Sequence, residues 1–148
     1  MPRAPAVPAS GSPRHHGSCL CGAVRYEIAG ELGPAYYCHC SRCRKSSGTG
    51  HAANAVMTRT QFLVRAGLDQ LRSYVADNGV ERLFCGTCGS PLAVGRGEHL
   101  RLRLGSLDSP LALGPQVRIF VGSKAAWEAI DDDLPRHAER PAVWPPVG

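Results

Sequence analysis

The stretch Gly17-Ser18-Cys19-Leu20-Cys21-Gly22-Ala23-Val24-Arg25-Tyr26-Glu27-Ile28 joins two signals that decide the fold. Its first half sets two thiols two residues apart. On an extended chain such side chains share a face, so Cys19 and Cys21 aim at one point while Leu20 turns away. Its second half alternates apolar and polar residues from Val24 to Ile28 and stops at Gly30, the period-2 pattern of a half-buried strand. A thiol pair at the mouth of a strand predicts a β domain stapled by metal.

Working outward, short runs bounded by turn residues recur at 35–37, 51–57, 62–64, 71–75, 80–84, 92–94, 100–104 and 117–121, several of them rich in β-branched or aromatic side chains. With no long helical pattern between them, they predict a mainly β, antiparallel domain with little helix. One or two helical turns are expected over 123–130, capped by Ser123.

The remaining cysteines complete a pattern. Cys85-Gly86-Thr87-Cys88-Gly89 has zinc-knuckle spacing, and Cys38-His39-Cys40-Ser41-Arg42-Cys43 supplies three sulfurs within six residues. Two pairs and a tripod divide most simply into a closed set, Cys19, Cys21, Cys85 and Cys88, and an open set, Cys38, Cys40 and Cys43. Closed sites are structural, and sites with three protein ligands are catalytic. Soft thiolates favour Zn²⁺ at both, with iron as the alternative. A plain zinc ribbon would use two C-x-x-C pairs and leave Cys38 idle.

The 148-residue length fits one domain, expected at 17–137, between a Pro/Ala-rich disordered leader at 1–16 and a tail at 138–148. No run is long and apolar enough for a membrane helix, and the leader lacks a secretory apolar core, so a cytoplasmic location is expected. There, thiols stay reduced and serve metals or catalysis. The formal charge of +5 suggests a polyanion partner, but seven thiolates on two zinc ions would lower it to about +2. The leader carries only Arg3 and Arg14, so no nucleic-acid arm is expected.

With these residues in view, the chain resembles the glutathione-dependent formaldehyde-activating enzyme family, whose domain is shared with centromere protein V. The resemblance rests on Gly17 to Tyr26, on Cys38-His-Cys-Ser-Arg-Cys-Arg-Lys-Ser-Ser-Gly48, and on Phe84-Cys-Gly-Thr-Cys-Gly-Ser-Pro-Leu92. Pro115 to Trp127 and Leu134-Pro-Arg136 look like the family's C-terminal signature. The resemblance implies an Mss4-like β-tent, the same division of zinc ligands, and carbon–sulfur lyase chemistry in which glutathione, or a similar thiol, adds to formaldehyde or another small aldehyde. The alternative is a non-enzymatic interaction module on the same fold. Methionine sulfoxide reductase chemistry would need a cysteine outside the two metal sets, and none is left.

Around the tripod, Arg42, Arg44 and Lys45 are candidates to offset its charge, with Arg42 and Lys45 the candidates to hold glutathione. His39 alternates away from Cys38 and Cys40, which argues against a ligand role. His51 is a candidate proton shuttle or fourth ligand, against the plainer reading of a satisfied strand histidine. Trp127 and Phe120 are read as core or pocket wall, Arg101 and Arg103 as the wet side of a strand, and Asp131 to Asp133 as a solvated turn.

Overall fold

The computed structural model describes residues 14–145. Among these residues ten strands form two sheets. The small sheet has the order β1-β2-β5, built from β1 (Arg14–Ser18), β2 (Arg25–Ala29) and β5 (Phe62–Ala66), all antiparallel. The large sheet runs β10-β3-β4-β9-β8-β7-β6. Its strands are β3 (Ala35–Cys38), β4 (Ala52–Thr58), β6 (Leu71–Val75), β7 (Glu81–Cys85), β8 (Pro91–Arg96), β9 (His99–Arg103) and β10 (Arg118–Ile119). Its pairs are antiparallel except β10 with β3.

The mainly β expectation holds, and the inward positions of the alternating strands supply the core. Tyr26 and Ile28 of β2 pack with Ala55 and Met57 of β4, Leu83 of β7, Leu92 of β8, and Leu100 and Leu102 of β9. A second cluster, Tyr36, Cys38, Val117 and Ile119, sits where β10 meets β3 and carries Cys40, Cys43, Phe120 and Trp144 on its margin. The tripod is thus backed by its own small core.

Two sequence expectations are corrected. β1 begins at Arg14, inside the segment read as leader, because its backbone pairs with β2 from Arg14–Ala29 to Ser18–Arg25. That pairing comes from a partner strand and needs no alternation in Arg14–Ser18 itself. Residues 1–13 lie outside the described residues. The second correction concerns helix. Segment 123–130 forms only a turn after a 3₁₀ turn at Val121–Ser123, and the one α-helix among the described residues, α1 (Ser41–Ser47), lies in the cysteine tripod. The Cys40 thiol caps α1 by accepting from the Cys43 N–H at 3.3 Å, and Gly48 ends it in the left-handed region at φ 68°.

Among the described residues no helix is long and apolar enough to cross a membrane.

Candidate metal centres and the clefts beside them

Cys19 and Cys21 follow β1 in the small sheet, while Cys85 ends β7 in the large one and Cys88 lies in the turn beyond it. Their sulfurs converge, 3.6 Å apart for Cys19 and Cys21 and 3.9 Å for Cys21 and Cys85. Disulfide sulfurs sit at about 2.05 Å. A tetrahedral ion with sulfur at about 2.3 Å sets its ligands about 3.8 Å apart. The spacing therefore suits one thiophilic ion rather than a covalent bond. Backbone N–H groups of Val24 and Thr87 point at Cys19 and Cys85, at 3.3 and 3.4 Å, as thiolate acceptors require. The Ser90 hydroxyl lowers the Cys88 thiol to about 5.

The second set is Cys38 at the end of β3, Cys40 capping α1, and Cys43 in its first turn, with each sulfur within 4.8 Å of the others. Hydrogen bonding with Cys38 and Cys43 holds the Cys40 thiol far below its ordinary range, and the same contact with Cys40 pushes Cys38 up. One sulfur of the three therefore ionises first, with the other two poised to follow when an ion takes their protons' place. The division into four and three matches the spacing of the sequence.

The tripod opens on a cleft of about 350 Å³. Its walls include Ile119 and Phe120, and Arg42, Arg82, Arg101 and Arg140 stand around it. Phe120 holds left-handed backbone at φ 54°, a conformation that costs a non-glycine residue about 1–2 kcal/mol, and its ring lies 5.7 Å from the Arg140 guanidinium. Arg42 also pairs with Asp77 at 2.8 Å. Lys45 is exposed and lines neither cleft, and Arg44 donates to the carbonyl of His39 at 3.3 Å.

Arg103 is not on a wet face. It is 5% exposed, donates to Asn54 Oδ1 and Ser46 Oγ at 2.8 Å each, and has no carboxylate partner among the described residues. A buried guanidinium needs a counter-charge. Three thiolates on a divalent ion carry −1, and Arg103 pulls the Cys43 thiol downward, although Cys40 and burial together leave that thiol raised. The three sulfurs, with a divalent ion held between them, would thus supply the counter-charge that Arg103 lacks. Local sequence could not show this, because the charge sits two residues from Arg101 in a pattern that reads as solvated.

The histidines stand apart from the sulfurs. Cys38 shares a face of β3 with Tyr36, whereas Tyr37 and His39 turn to the other face, where the rings of Tyr37 and His39 lie 4.7 and 5.1 Å from that of His51. His39 is fully buried and is no sulfur-site ligand, as its alternation implied. His51 is no fourth ligand to the tripod; its Nδ1 bonds Glu128. Trp127, 75% exposed, is neither core nor pocket wall. Asp132 leaves the expected solvated turn to take a two-point grip on Arg118, through Nε and Nη2 at 3.0 and 2.6 Å.

Comparison with known proteins gives three likenesses. Residues 14–123 match the model of the family described as glutathione-dependent formaldehyde-activating enzyme. A relative from Halomonas elongata, whose own assignment as a glutathione-dependent formaldehyde-activating enzyme is provisional, is 35% identical over 130 residues, covering 84% of this chain and 70% of its own. A crystal structure of a Rhodobacter sphaeroides protein superposes with a TM-score of 0.55 at 27% identity, covering 66% of this chain and 91% of that one.

Proposed function

This chain belongs to the glutathione-dependent formaldehyde-activating enzyme family, and we propose that it adds glutathione, or a similar low-molecular thiol, to a small aldehyde as a zinc-dependent carbon–sulfur lyase. The observation that carries this reading is the tripod of Cys38, Cys40 and Cys43 opening on a cleft ringed by four arginines. Glutathione brings two carboxylates, and guanidinium groups bind carboxylates by paired, charge-assisted hydrogen bonds. Arg42 belongs to that ring, and Arg82, Arg101 and Arg140 join it.

Cys19, Cys21, Cys85 and Cys88 would hold a structural zinc; Cys38, Cys40 and Cys43 would hold the second. A zinc ion held there would supply the Lewis acidity that keeps a thiol deprotonated, and so nucleophilic, at neutral pH. The chain's own part is positioning. The arginines anchor the thiol's carboxylates, Phe120 and Ile119 wall off water, and Arg103 balances the sulfur charge from behind. Sulfur bonds to the carbonyl carbon, and the proton that leaves sulfur ends on the carbonyl oxygen.

The test compares thiols. Replacing Arg82 and Arg101 together by alanine should raise KM for glutathione by about 100-fold or more, as expected for loss of two charge-assisted bonds of about 1.5–3 kcal/mol each, and leave KM for the uncharged 2-mercaptoethanol unchanged. Equal effects on both thiols would remove the arginine ring from substrate binding. No rate above the uncatalysed addition in the zinc-loaded protein would end the enzymatic reading and favour an interaction module.

A further inference from the structure

Behind the tripod's strand, three donor atoms meet: one each from His39, His51 and Glu128, all within 4.8 Å of one another. A third metal ion is the first thought, and the hydrogen bonding decides against it. Arg118 Nη1 lies 3.0 Å from His39 Nε2. Arginine has no acceptor, so Nε2 carries the lone pair and the proton of the neutral ring sits on Nδ1, which faces Glu128 Oε2 at 3.2 Å. A metal-bound histidine needs the reverse, its free ring nitrogen donating outward.

The other oxygen of Glu128 meets His51 Nδ1 in a short contact. A carboxylate only accepts, so His51 Nδ1 carries a proton and Nε2 of the neutral ring is left with a free lone pair. Among the described residues that nitrogen has no hydrogen-bond partner, and it is not enclosed, for the buried atoms without one are His39 Nδ1 and Glu128 Oε2. His51 lines a cleft of about 820 Å³, distinct from that of the tripod. Gly50 secures the approach: a Cβ there would overlap the Glu128 carboxylate. A carboxylate that fixes an imidazole tautomer and presents its second nitrogen to a cleft is an acid–base device.

The cleft also limits the substrate. Its wall carries the hydroxyls of Ser18, Ser47, Thr49, Ser90 and Ser106, each already hydrogen-bonded within the protein, so that what they offer a ligand is a remaining acceptor lone pair for its hydroxyls. Its two charged groups are engaged, Arg103 with Asn54 and Ser46, and Asp108 with Ser18 at 2.6 Å. A small, neutral, hydroxyl-bearing molecule fits this lining. Formaldehyde in water stands almost wholly as such a molecule, its geminal diol, whereas a thiolate attacks only the carbonyl form.

We propose that His51, oriented by Glu128, is the catalytic residue of a second site that dehydrates a small aldehyde hydrate to its carbonyl form. The inference rests on the aldehyde-consuming function proposed above. His51 Nε2 takes the proton of one hydroxyl as the carbon–oxygen bond to the other breaks. The departing hydroxide takes that proton back from the imidazolium, so one diol gives one carbonyl and one water, with no oxidant or reductant. Glu128 stabilises the transient imidazolium. The carbonyl product reaches the tripod through solvent, since the two clefts share no lining residue.

The experiment omits thiol and so is independent of thiol addition. Aqueous formaldehyde is mixed with enough hydrazine that trapping is limited by dehydration, and the rate is followed with and without the zinc-loaded full chain. The protein should accelerate trapping. His51→Asn, whose amide can keep the bond to Glu128, should remove about 100-fold or more of the protein-dependent rate, the reach of one acid–base group, and added imidazole should restore part of it. Glu128→Gln should cost about tenfold with zinc content intact, and it decides the matter should His51→Asn fail to fold. No acceleration by the unmodified protein, or full acceleration by either folded variant, overturns the proposal. Thiol addition can succeed or fail separately in its own assay.

Discussion

Replacing Arg103 by methionine should weaken the tripod without touching the tetrad. The side chain is 5% exposed, and two consequences follow from what it touches. Asn54, 1% exposed, loses the donor to its Oδ1, which leaves a buried acceptor unsatisfied at a cost of about 1–3 kcal/mol. With an m-value of about 2 kcal/mol per molar urea, the unfolding midpoint should fall by about 1 M. The second consequence is at the metal. Groups that support a ligand shell are worth about 10- to 100-fold in affinity, so zinc at Cys38, Cys40 and Cys43 should bind that much more weakly. With zinc in both sets, as proposed, titration with a chromophoric chelator should show one zinc leaving earlier than in the parent and the other leaving as before. Arg103→Lys keeps the charge, and should recover most of the zinc affinity while recovering little of the two-point hold on Asn54 and Ser46. Unchanged affinity in Arg103→Met, or equal weakening of both zincs, would refute the pairing of this cation with the tripod.

Two further outcomes follow from the same geometry. Cys85→Ser removes a fully buried tetrad ligand, and because structural zinc contributes about 10–16 kcal/mol against a typical net stability of about 5–15 kcal/mol, the variant should lose cooperative unfolding, seen as a featureless near-UV dichroism melt; a sharp transition would place the stability elsewhere. Arg118 holds the Asp132 carboxyl below its ordinary range, so the pair stabilises above the unfolded-state value near pH 4 and is lost as pH falls through the depressed folded value. The stability gap between parent and Asp132→Asn should hold steady from pH 8 to 5 and close below pH 4, and a gap that persists at low pH would show that the carboxylate charge is not its source.

Strands with clear alternation were legible in the chain, and so was the partition of sulfurs, because both are written in short spacings. α1 was not: Ser41 to Ser47 has no apolar period, and the helix owes its ends to a thiol cap and Gly48. Segment 123–130 reads as helix through its alanines, yet Lys124 is drawn to the carbonyls of Ala125 and Glu128, and the Glu128 carboxylate to His51. The last of those ties, across 77 positions, is tertiary. The same holds for Arg118, which reaches His39 from 79 positions away, and for Arg103, whose burial depends on α1 closing over it. Chemistry placed by distant contacts leaves no local period to read.

The tetrad also sets an order of events in synthesis. Cys19 and Cys21 emerge from the ribosome well before their partners in the large sheet, and at about 5–20 residues per second the wait for Cys88 is roughly 3–13 s. During that interval two reactive thiols stand half-ligated, exposed to oxidation and to stray metals. Only after the chain has passed Cys88 can one ion close the site and lock both sheets. With zinc in the tetrad, as proposed, a cell short of the ion would lose this protein during synthesis rather than afterwards.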